Sequence, residues 1–231
     1  ALLPLPAAGI SLDDKQDAVR ALLACGATIG EMNTIRKHIS AIKGGRLALA
    51  AHPATVVTLI LSDVVGDRLD HIASGPTVAD ESTFDDCLAI VAEYDLAARL
   101  PQPVMRHLEQ GAQGLQPETP DAGHAALHQG LALIVANNSV ALQAAAARGA
   151  ALGYRTLILS SMIEGETRDV AGVHAAIARE VLKTGHPLTA PACIISGGET
   201  TVTLHGDGRG GRNQEFVLAA AFGIEGCEGT V

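Results

Sequence analysis

Residues 196–215 carry the side chains and glycines best suited to chemistry in this chain. They read Ser-Gly-Gly-Glu-Thr-Thr-Val-Thr-Leu-His-Gly-Asp-Gly-Arg-Gly-Gly-Arg-Asn-Gln-Glu. The two glycine clusters would let backbone approach a ligand closely. Arg209 and Arg212 add forked donors that suit phosphate or carboxylate, and a helical pattern that begins after Gly211 would present free N–H groups. The segment predicts a binding site for an anion, most simply a phosphate.

Two known nucleotide-binding patterns overlap this segment. Gly206-x-Gly208-x-x-Gly211 spells the dinucleotide fingerprint, which also needs an acidic residue about 20 positions later, and no further strand follows here to carry it. The outline of a P-loop is also present, but Arg212 and Asn213 stand where a P-loop has Lys and then Ser or Thr. A glycine-rich turn without function between a strand and a helix is the remaining alternative.

Two further groups of residues suggest ligand chemistry. Asp63 and Asp67 are two carboxylates four residues apart, directly after an apolar run, and Mg²⁺ bound with a nucleotide takes one or two carboxylates. Arg36 and Lys43 belong to a basic cluster in an acidic protein. Each residue alone fits a charged helix face, but together they suggest an anionic substrate. His124 and His128 have the spacing of a metal clip, but no third ligand is near them in sequence.

Composition limits the class of protein. The chain has 231 residues, a net charge of −9, 48% hydrophobic residues and only 2% aromatic residues. The negative charge argues against nucleic-acid binding. No apolar run approaches the ~20 residues of a membrane helix, so we expect no membrane association. The four cysteines form no Cys-x-x-Cys pair and indicate buried small residues in a reducing cytoplasm.

Apolar spacing predicts the elements that must position these residues. Helical spacing runs from Ser11, a good N-cap, to the Gly44-Gly45 pair. A buried strand is expected at 56–61, and helices at about 82–99 and 103–110. In the second half, strands are expected at 131–136, 156–159 and 192–196, with helices at 139–152, capped by Ser139, and 169–183.

This order predicts an α/β fold with mostly parallel sheets flanked by helices, in which ligands bind beyond the carboxyl ends of the strands. Asp63, Asn137, Ser160 and the segment from Ser196 to Glu199 all fall at such ends. Residues 111–127 have little apolar periodicity. We therefore expect a first domain at residues 1–125 and a second at 126–231.

Taken in order, five motifs resemble the glycerate 2-kinase family, whose C-terminal region is of the MOFRL type and whose members often carry the label hydroxypyruvate reductase. They start at Asn33 (Asn-Thr-Ile-Arg-Lys-His-Ile-Ser-Ala-Ile-Lys-Gly-Gly), Ser62 (Ser-Asp-x-x-Gly-Asp), Ala73 (Ala-Ser-Gly-Pro-Thr), Ser196 (Ser-Gly-Gly-Glu-Thr-Thr) and Gly210 (Gly-Gly-Arg-Asn-Gln-Glu). The resemblance spans essentially the whole chain. It implies transfer of the ATP γ-phosphate to the 2-hydroxyl of D-glycerate, with Mg²⁺, in a cleft between two α/β domains.

The resemblance also implies roles for individual residues. Arg212 matches an active-site arginine, which we expect to stabilise the transferring phosphoryl, and Asp63 is expected to hold Mg²⁺ or orient the hydroxyl. We expect Asp67 as a second metal ligand, and Lys43 and Arg36 on the glycerate carboxylate. The residues expected to bind the nucleotide are Gly197, Gly198, Glu199, Gly210, Gly211 and Asn213.

Other interpretations stay open at this stage. In the resembled family, a catalytic lysine would precede Ala1 and an Asp-Gly-Thr-Asp-Gly-like stretch would follow Val231, so the chain resembles an internal fragment that we expect to be inactive alone. A reductase dependent on NAD(P)H and acting on hydroxypyruvate is the second hypothesis. The third is a non-catalytic anion-binding module. Oligomeric state does not follow from the sequence.

Overall fold

A computed structural model describes residues 3–203, 206 and 208–229. The chain forms two compact units: unit 1 holds Ala1–Ile60 and Arg68–Val135, and unit 2 holds Leu61–Asp67 and Ala136–Val231. The predicted α/β class is confirmed. The units do not follow chain order, because a short stretch that begins at the end of the first strand belongs to unit 2. The predicted domain boundary at 125/126 stays a prediction.

The first helices of unit 1 begin at sequence-encoded caps. Helix α1 (Leu12–Cys25) has Ser11 as its N-cap, as predicted, and α2 (Ile29–His38) has Thr28; each forms a capping box with the acidic residue three positions on. The helical pattern that we expected to continue past residue 25 is interrupted. Gly26 adopts a left-handed conformation with φ of 82°, which ends α1 and lets the chain turn into α2.

Three more helices complete unit 1. They are α3 (Arg46–Ala51), α4 (Phe84–Glu93) and α5 (Gln102–Ala112). Helix α4 is shorter than the predicted 82–99, because Thr83 caps it and the chain leaves helical geometry after Tyr94. Short 3₁₀ turns lie at Val65–Asp67, Ile72–Ser74 and Ala125–Leu127. The core of unit 1 consists of aliphatic residues around Phe84, among them Leu22, Ile35, Ile39, Leu96, Val104 and Leu108.

Strands β1 (Val57–Ser62) and β2 (Leu131–Asn137) form one two-stranded sheet. The prediction that the first strand is fully buried is wrong. Its exposed and covered residues alternate, and Val57, Leu59 and Leu61 are all more than half exposed. A run of apolar residues predicts a strand, but it does not show whether one face of that strand or both faces are covered.

Unit 2 contains the rest of the α/β alternation. Its elements are α6 (Asn138–Ala151), β3 (Arg155–Ile158), α7 (Thr167–Thr184), β4 (Ala192–Ile195) and α8 (Arg212–Gly223). Strands β3 and β4 are parallel, as predicted, with Arg155 opposite Ala192. In the described part of the chain, β2 pairs with β1 and not with these two strands. Helix α6 begins earlier than predicted, since Asn137 and not Ser139 is its N-cap.

The parallel pairing of β3 with β4 continues beyond the strands as single bridges. Ile163 pairs with Gly198, and Glu166 pairs with Thr201. The backbone N–H of Glu199 donates to the Ile163 carbonyl at 2.9 Å, and that of Ile163 donates to the Gly197 carbonyl at 3.0 Å. The first glycine cluster is therefore held in a defined conformation by the segment after β3.

The expectation that the cysteines are buried is met at one of the four. Cys87 is buried, and burial raises the pKa of its thiol, whereas Cys25, Cys193 and Cys227 are half-buried. Within the described residues, no helix is long and apolar enough to cross a membrane.

Candidate functional site

Unit 2 contains an open cavity of about 400 Å³. The end of β1, the junction of β2 and α6, the segment after β4 and the start of α8 all contribute to it. It is lined by Leu61, Ser62, Asp63, Ala136, Asn137, Asn138, Ala141, Gly198, Glu199, Arg212 and Asn213. Strand termini and a helix N-terminus thus converge on one concave surface, as is typical of ligand sites in α/β folds.

Helix α8 presents an uncapped N-terminus to this cavity. Gly211 is its N-cap and offers no side chain to the first-turn N–H groups, whereas α1, α2 and α4 each carry a capping box. Arg212 and Asn213 occupy the first positions of α8 and both line the cavity. Free N–H groups, the positive end of the helix and a guanidinium together favour an anion at this point.

Glu199 contacts Arg212 directly. One of its carboxylate oxygens lies 2.7 Å from a guanidinium nitrogen in an ion pair, and both side chains remain almost half exposed. The pair therefore holds the guanidinium at the cavity without burying its charge. A more strongly charged anion could take the place of Glu199, because an exposed ion pair of this kind is weak.

The two predicted metal ligands have different environments. Asp63 lines the cavity, next to Ser62, whose buried hydroxyl has no hydrogen-bond partner in the described part of the chain. Asp67 is not a lining residue, and its Oδ2 accepts a hydrogen bond from Asn137 Nδ2 at 2.6 Å. Among the described residues, no three His, Cys, Asp or Glu side chains are placed to hold a metal ion by themselves.

Two asparagines fix the geometry of the cavity floor. Asn137 Oδ1 accepts from the Val140 N–H at 3.0 Å while its amide group holds Asp67. Asn138 donates to the Ser161 carbonyl at 2.8 Å and packs so closely on Gly197 that a Cβ there would overlap it. The position of Asn137 at a strand end was a sequence signal, but nothing in the pattern indicated the part played by Asn138.

Apart from Asp67, the predicted site residues fall into three groups. Asp63, Gly198, Glu199, Arg212 and Asn213 meet at the cavity of unit 2. Gly197 and Gly211 are next to lining residues in sequence and Gly210 is two positions before Arg212, but none of these three glycines lines the cavity. Lys43 and Arg36 lie in unit 1.

Among the described residues, the last strand before the Gly206–Gly211 pattern is β4, well upstream of it. The dinucleotide fingerprint requires the glycine turn directly after a strand, but β4 ends at Ile195 and α8 begins only at Arg212. Leu204, His205 and Asp207 lie outside the described residues, so the interior of the pattern is not characterised.

Unit 1 contains a second polar cluster that the sequence indicated only in part. The buried Lys37 ammonium donates to Asp80 at 2.9 Å and lies 3.9 Å from Asp70. Burial opposes ionisation of Asp80, but hydrogen bonds from Lys37 and Ser82 outweigh it and lower the pKa of the carboxyl. Sequence reasoning missed Asp80, because its partner is 43 residues away in the chain.

Lys43 lies in unit 1 where two of the sequence motifs interlock. Its ammonium donates to the Ala73 carbonyl at 2.7 Å. Ala73, Ser74 and Gly75 all have positive φ, at 54°, 61° and 55°, a strained run for residues with a side chain. Ser74 donates to Asn33 at 3.0 Å, which helps to hold this conformation.

Comparison with known proteins shows which proteins the chain is similar to. Residues 1–109 match the family described as "Domain of unknown function (DUF4147)", and residues 192–231 match the MOFRL family. Glycerate 2-kinase of Pyrococcus horikoshii is 41% identical to this chain, and the aligned region covers 100% of this chain and 52% of that protein. A protein of Agrobacterium vitis provisionally named hydroxypyruvate reductase is 50% identical over 99% of this chain and 50% of its own. The crystal structure of glycerate kinase from Thermotoga maritima superposes with a TM-score of 0.78 at 41% identity, over 97% of this chain and 51% of that one.

Along nearly its whole length, the chain is similar to proteins named glycerate kinase. The resemblance drawn from the five motifs is therefore confirmed. The chain spans about half the length of the curated relatives that it matches. The MOFRL match includes Gly198, Glu199, Arg212 and Asn213, so much of the cavity wall comes from a region that the family model covers.

Proposed function

We propose that the protein containing this chain phosphorylates D-glycerate at its 2-hydroxyl with ATP, giving 2-phosphoglycerate. The observation that carries the proposal is the convergence of Arg212, the uncapped start of α8 and Asp63 on one cavity in unit 2. Phosphoryl transfer needs positioned positive charge more than covalent chemistry, and this arrangement provides it. The names glycerate kinase and glycerate 2-kinase among its relatives support the substrate and the position.

Each residue has a definite task in this proposal. The 2-hydroxyl oxygen attacks the γ-phosphorus, the bond to the β–γ bridging oxygen breaks, and ADP leaves. The Arg212 guanidinium and the first N–H groups of α8 stabilise the charge spread over the transferring phosphoryl. Asp63 orients the attacking hydroxyl or shares in binding Mg²⁺. Asn213 and Gly198 contact the nucleotide phosphates, and Glu199 takes part in nucleotide binding by orienting Arg212. Gly197, Gly210 and Gly211 shape the loops on either side.

The residues at the cavity fit Mg²⁺ that arrives with a nucleotide. Asp63 is the lining carboxylate at the end of β1, and the unpartnered Ser62 hydroxyl lies beside it. One or two protein carboxylates with phosphate oxygens is the usual environment of nucleotide-bound Mg²⁺. When bound, the ion would neutralise charge on the β- and γ-phosphate oxygens. Asp67 would act through Asn137 or by a change of orientation, because Asn137 holds it in this structure.

Lys43 and Arg36 are proposed to bind the carboxylate of glycerate. They provide cationic groups in unit 1, and a hydroxy acid substrate needs such a partner for its carboxylate. We further propose that the enzyme works in the cytoplasm, where ATP is plentiful and thiols such as that of Cys87 stay reduced.

The test is to identify the product made by the purified full-length protein. With D-glycerate and MgATP, ³¹P NMR should show 2-phosphoglycerate forming together with ADP. The control reaction contains hydroxypyruvate and NADH, and its absorbance at the nicotinamide band should not fall. Oxidation of NADH without formation of ADP from glycerate would refute the proposal in favour of a reductase.

A further inference from the structure

Three cationic side chains of unit 1 lie together. Lys15 on α1 and Lys43 after α2 are 7% and 4% exposed, and Arg36 on α2 is half-buried. The Lys15 ammonium donates to the Pro4 carbonyl at 3.0 Å, and the Lys43 ammonium donates to that of Ala73. Both lysines are thus hydrogen-bonded to neutral carbonyls, which leave their charges uncompensated.

A shared set of hydrogen bonds brings the two lysines to the same place. The Leu5 carbonyl lies 3.5 Å from the Lys15 ammonium and accepts from the Ser40 hydroxyl at 3.0 Å. The same Ser40 hydroxyl oxygen accepts from the backbone N–H of Lys43 at 3.4 Å. Arg36 lies in the last turn of α2, before the segment that holds Ser40 and Lys43.

The electrostatics confirm that the three groups act on one another. Burial, then the charges of Lys43 and Arg36, lower the pKa of Lys15 to about 8. Burial and then Arg36 also lower the pKa of Lys43. Lys37, in contrast, has both Asp80 and Asp70 beside it. Buried lysines are normally paired with an acid, so Lys15, Arg36 and Lys43 form an unusual arrangement within the described chain.

We propose that Lys15, Arg36 and Lys43 form a binding site for a small oxyanion, which supplies the negative charge that these three cations lack. The donors for such a site are available. An ammonium has three N–H groups, of which Lys43 uses one on Ala73, and the five donors of Arg36 form no hydrogen bond to a described residue. Loss of any one of the three cations should therefore weaken anion binding, while the other two cations remain in place.

The chemistry of the site suits a carboxylate or a phosphate. If the proposed function holds, the carboxylate of D-glycerate is the expected ligand, and Lys15 joins Arg36 and Lys43 in holding it. Inorganic phosphate is the second candidate ligand, because its oxygens are negatively charged and accept hydrogen bonds from the same donors. The identity of the ligand rests on the proposed function, but the existence of the anion site does not.

Calorimetric titration of the full-length protein distinguishes these cases. Arg212→Ala serves as the background, so that anion binding at the unit 2 cavity contributes little. D-glycerate and inorganic phosphate are titrated separately at pH 7 into this background and into its Lys15→Met and Arg36→Gln derivatives. Lys183→Met is the matched control, because it removes an exposed lysine from α7 by the same chemical change.

Lys15→Met and Arg36→Gln should each lower the affinity for at least one of the two anions by about tenfold or more. This is the size expected for loss of a charge-assisted hydrogen bond. Lys183→Met should leave both affinities unchanged. A loss confined to glycerate identifies a carboxylate site, and a loss confined to phosphate identifies a phosphate site. Unchanged affinity for both anions in folded Arg36→Gln, or no binding of either anion in the background, would overturn the proposal. Because the measurement is binding and not turnover, it stands even if the kinase assay fails.

Discussion

At the scale of single residues, the pairing of Arg212 with Glu199 is the central feature of the cavity. The guanidinium is held at 2.7 Å by a carboxylate that is itself almost half exposed. A surface pair of this kind contributes only about 0–1 kcal/mol, so a phosphate with two negative charges could replace it at small cost. Glu199 thus keeps Arg212 oriented before the ligand arrives, and this reduces the reorganisation needed on binding.

The Lys37–Asp80 pair provides a residue-scale test of unit 1. Lys37→Met should destabilise the protein by about 3–5 kcal/mol, because it leaves the buried Asp80 carboxylate without its cation. The matched control is again Lys183→Met, which should change the free energy of unfolding by less than about 0.5 kcal/mol. Urea unfolding at pH 7 measures both.

The pH dependence of the same pair has a definite sign. The pKa of Asp80 in the folded protein lies below its ordinary value of 3.8. Its ionised form therefore stabilises the fold fully above that value, and the contribution is lost as the pH falls through the lower folded-state pKa. Lys37→Met should flatten this part of the stability curve below pH 4. An unaltered curve, or an unaltered free energy at pH 7, would show that the pair does not act as described.

At the scale of elements, local sequence signals predicted helix caps and the order of strands and helices better than they predicted burial. The capping box at Ser11 and the alternation of strands and helices after residue 130 both appear in the structure. Errors arose where a tertiary contact decided the outcome. Asn137 caps α6 in place of Ser139, because its side chain is also held by Asp67, 70 residues earlier.

Gly198 is the element-scale test of how the cavity is built. It has a φ of 154°, and a Cβ there would overlap the carbonyl of Ile163 to which Glu199 donates. Gly198→Ala should therefore break the bridge between the segments after β3 and β4, displace Glu199 and greatly reduce glycerate phosphorylation. Gly172→Ala, on α7 with open space around it, is the control and should be tolerated.

Activity and circular dichroism of both variants provide the measurement. Full activity in Gly198→Ala would mean that this bridge does not position the cavity wall. Loss of activity in the control as well would indicate general sensitivity of unit 2 and not a specific contact.

At the scale of the whole molecule, the partition into units explains what the sequence could not indicate. The seven residues Leu61–Asp67 belong to unit 2, although the residues on both sides of them in the chain belong to unit 1. The strand-end rule indicated Asp63 as a ligand candidate, but only the fold places it at the same cavity as Arg212. The proposed cluster of Lys15, Arg36 and Lys43 likewise combines residues of α1, of α2 and of the segment after α2, and Lys15 has no distinguishing motif around it.

Nucleotide preference is a property of the whole protein that thermal unfolding reports. A ligand present at about 100 times its Kd stabilises the native state by about 2.7 kcal/mol, which raises Tm by several degrees. MgATP should give this shift in the full-length protein, and NADH should give none. A shift with NADH alone would favour the reductase, and no shift with either nucleotide would favour an anion-binding module without catalysis.

The most direct measurement of the central claim is steady-state kinetics of three arginine variants of the full-length enzyme. Arg212→Ala should lower kcat for glycerate phosphorylation by about 10²–10³, the usual effect of losing one donor that stabilises charge in the transition state. Arg212→Lys should recover only part, because an ammonium lacks the planar fork. Arg209→Ala should cost less, since Arg209 does not line the cavity. Wild-type kcat in folded Arg212→Ala, or a larger loss in Arg209→Ala, would contradict the assignment of phosphoryl transfer to this cavity.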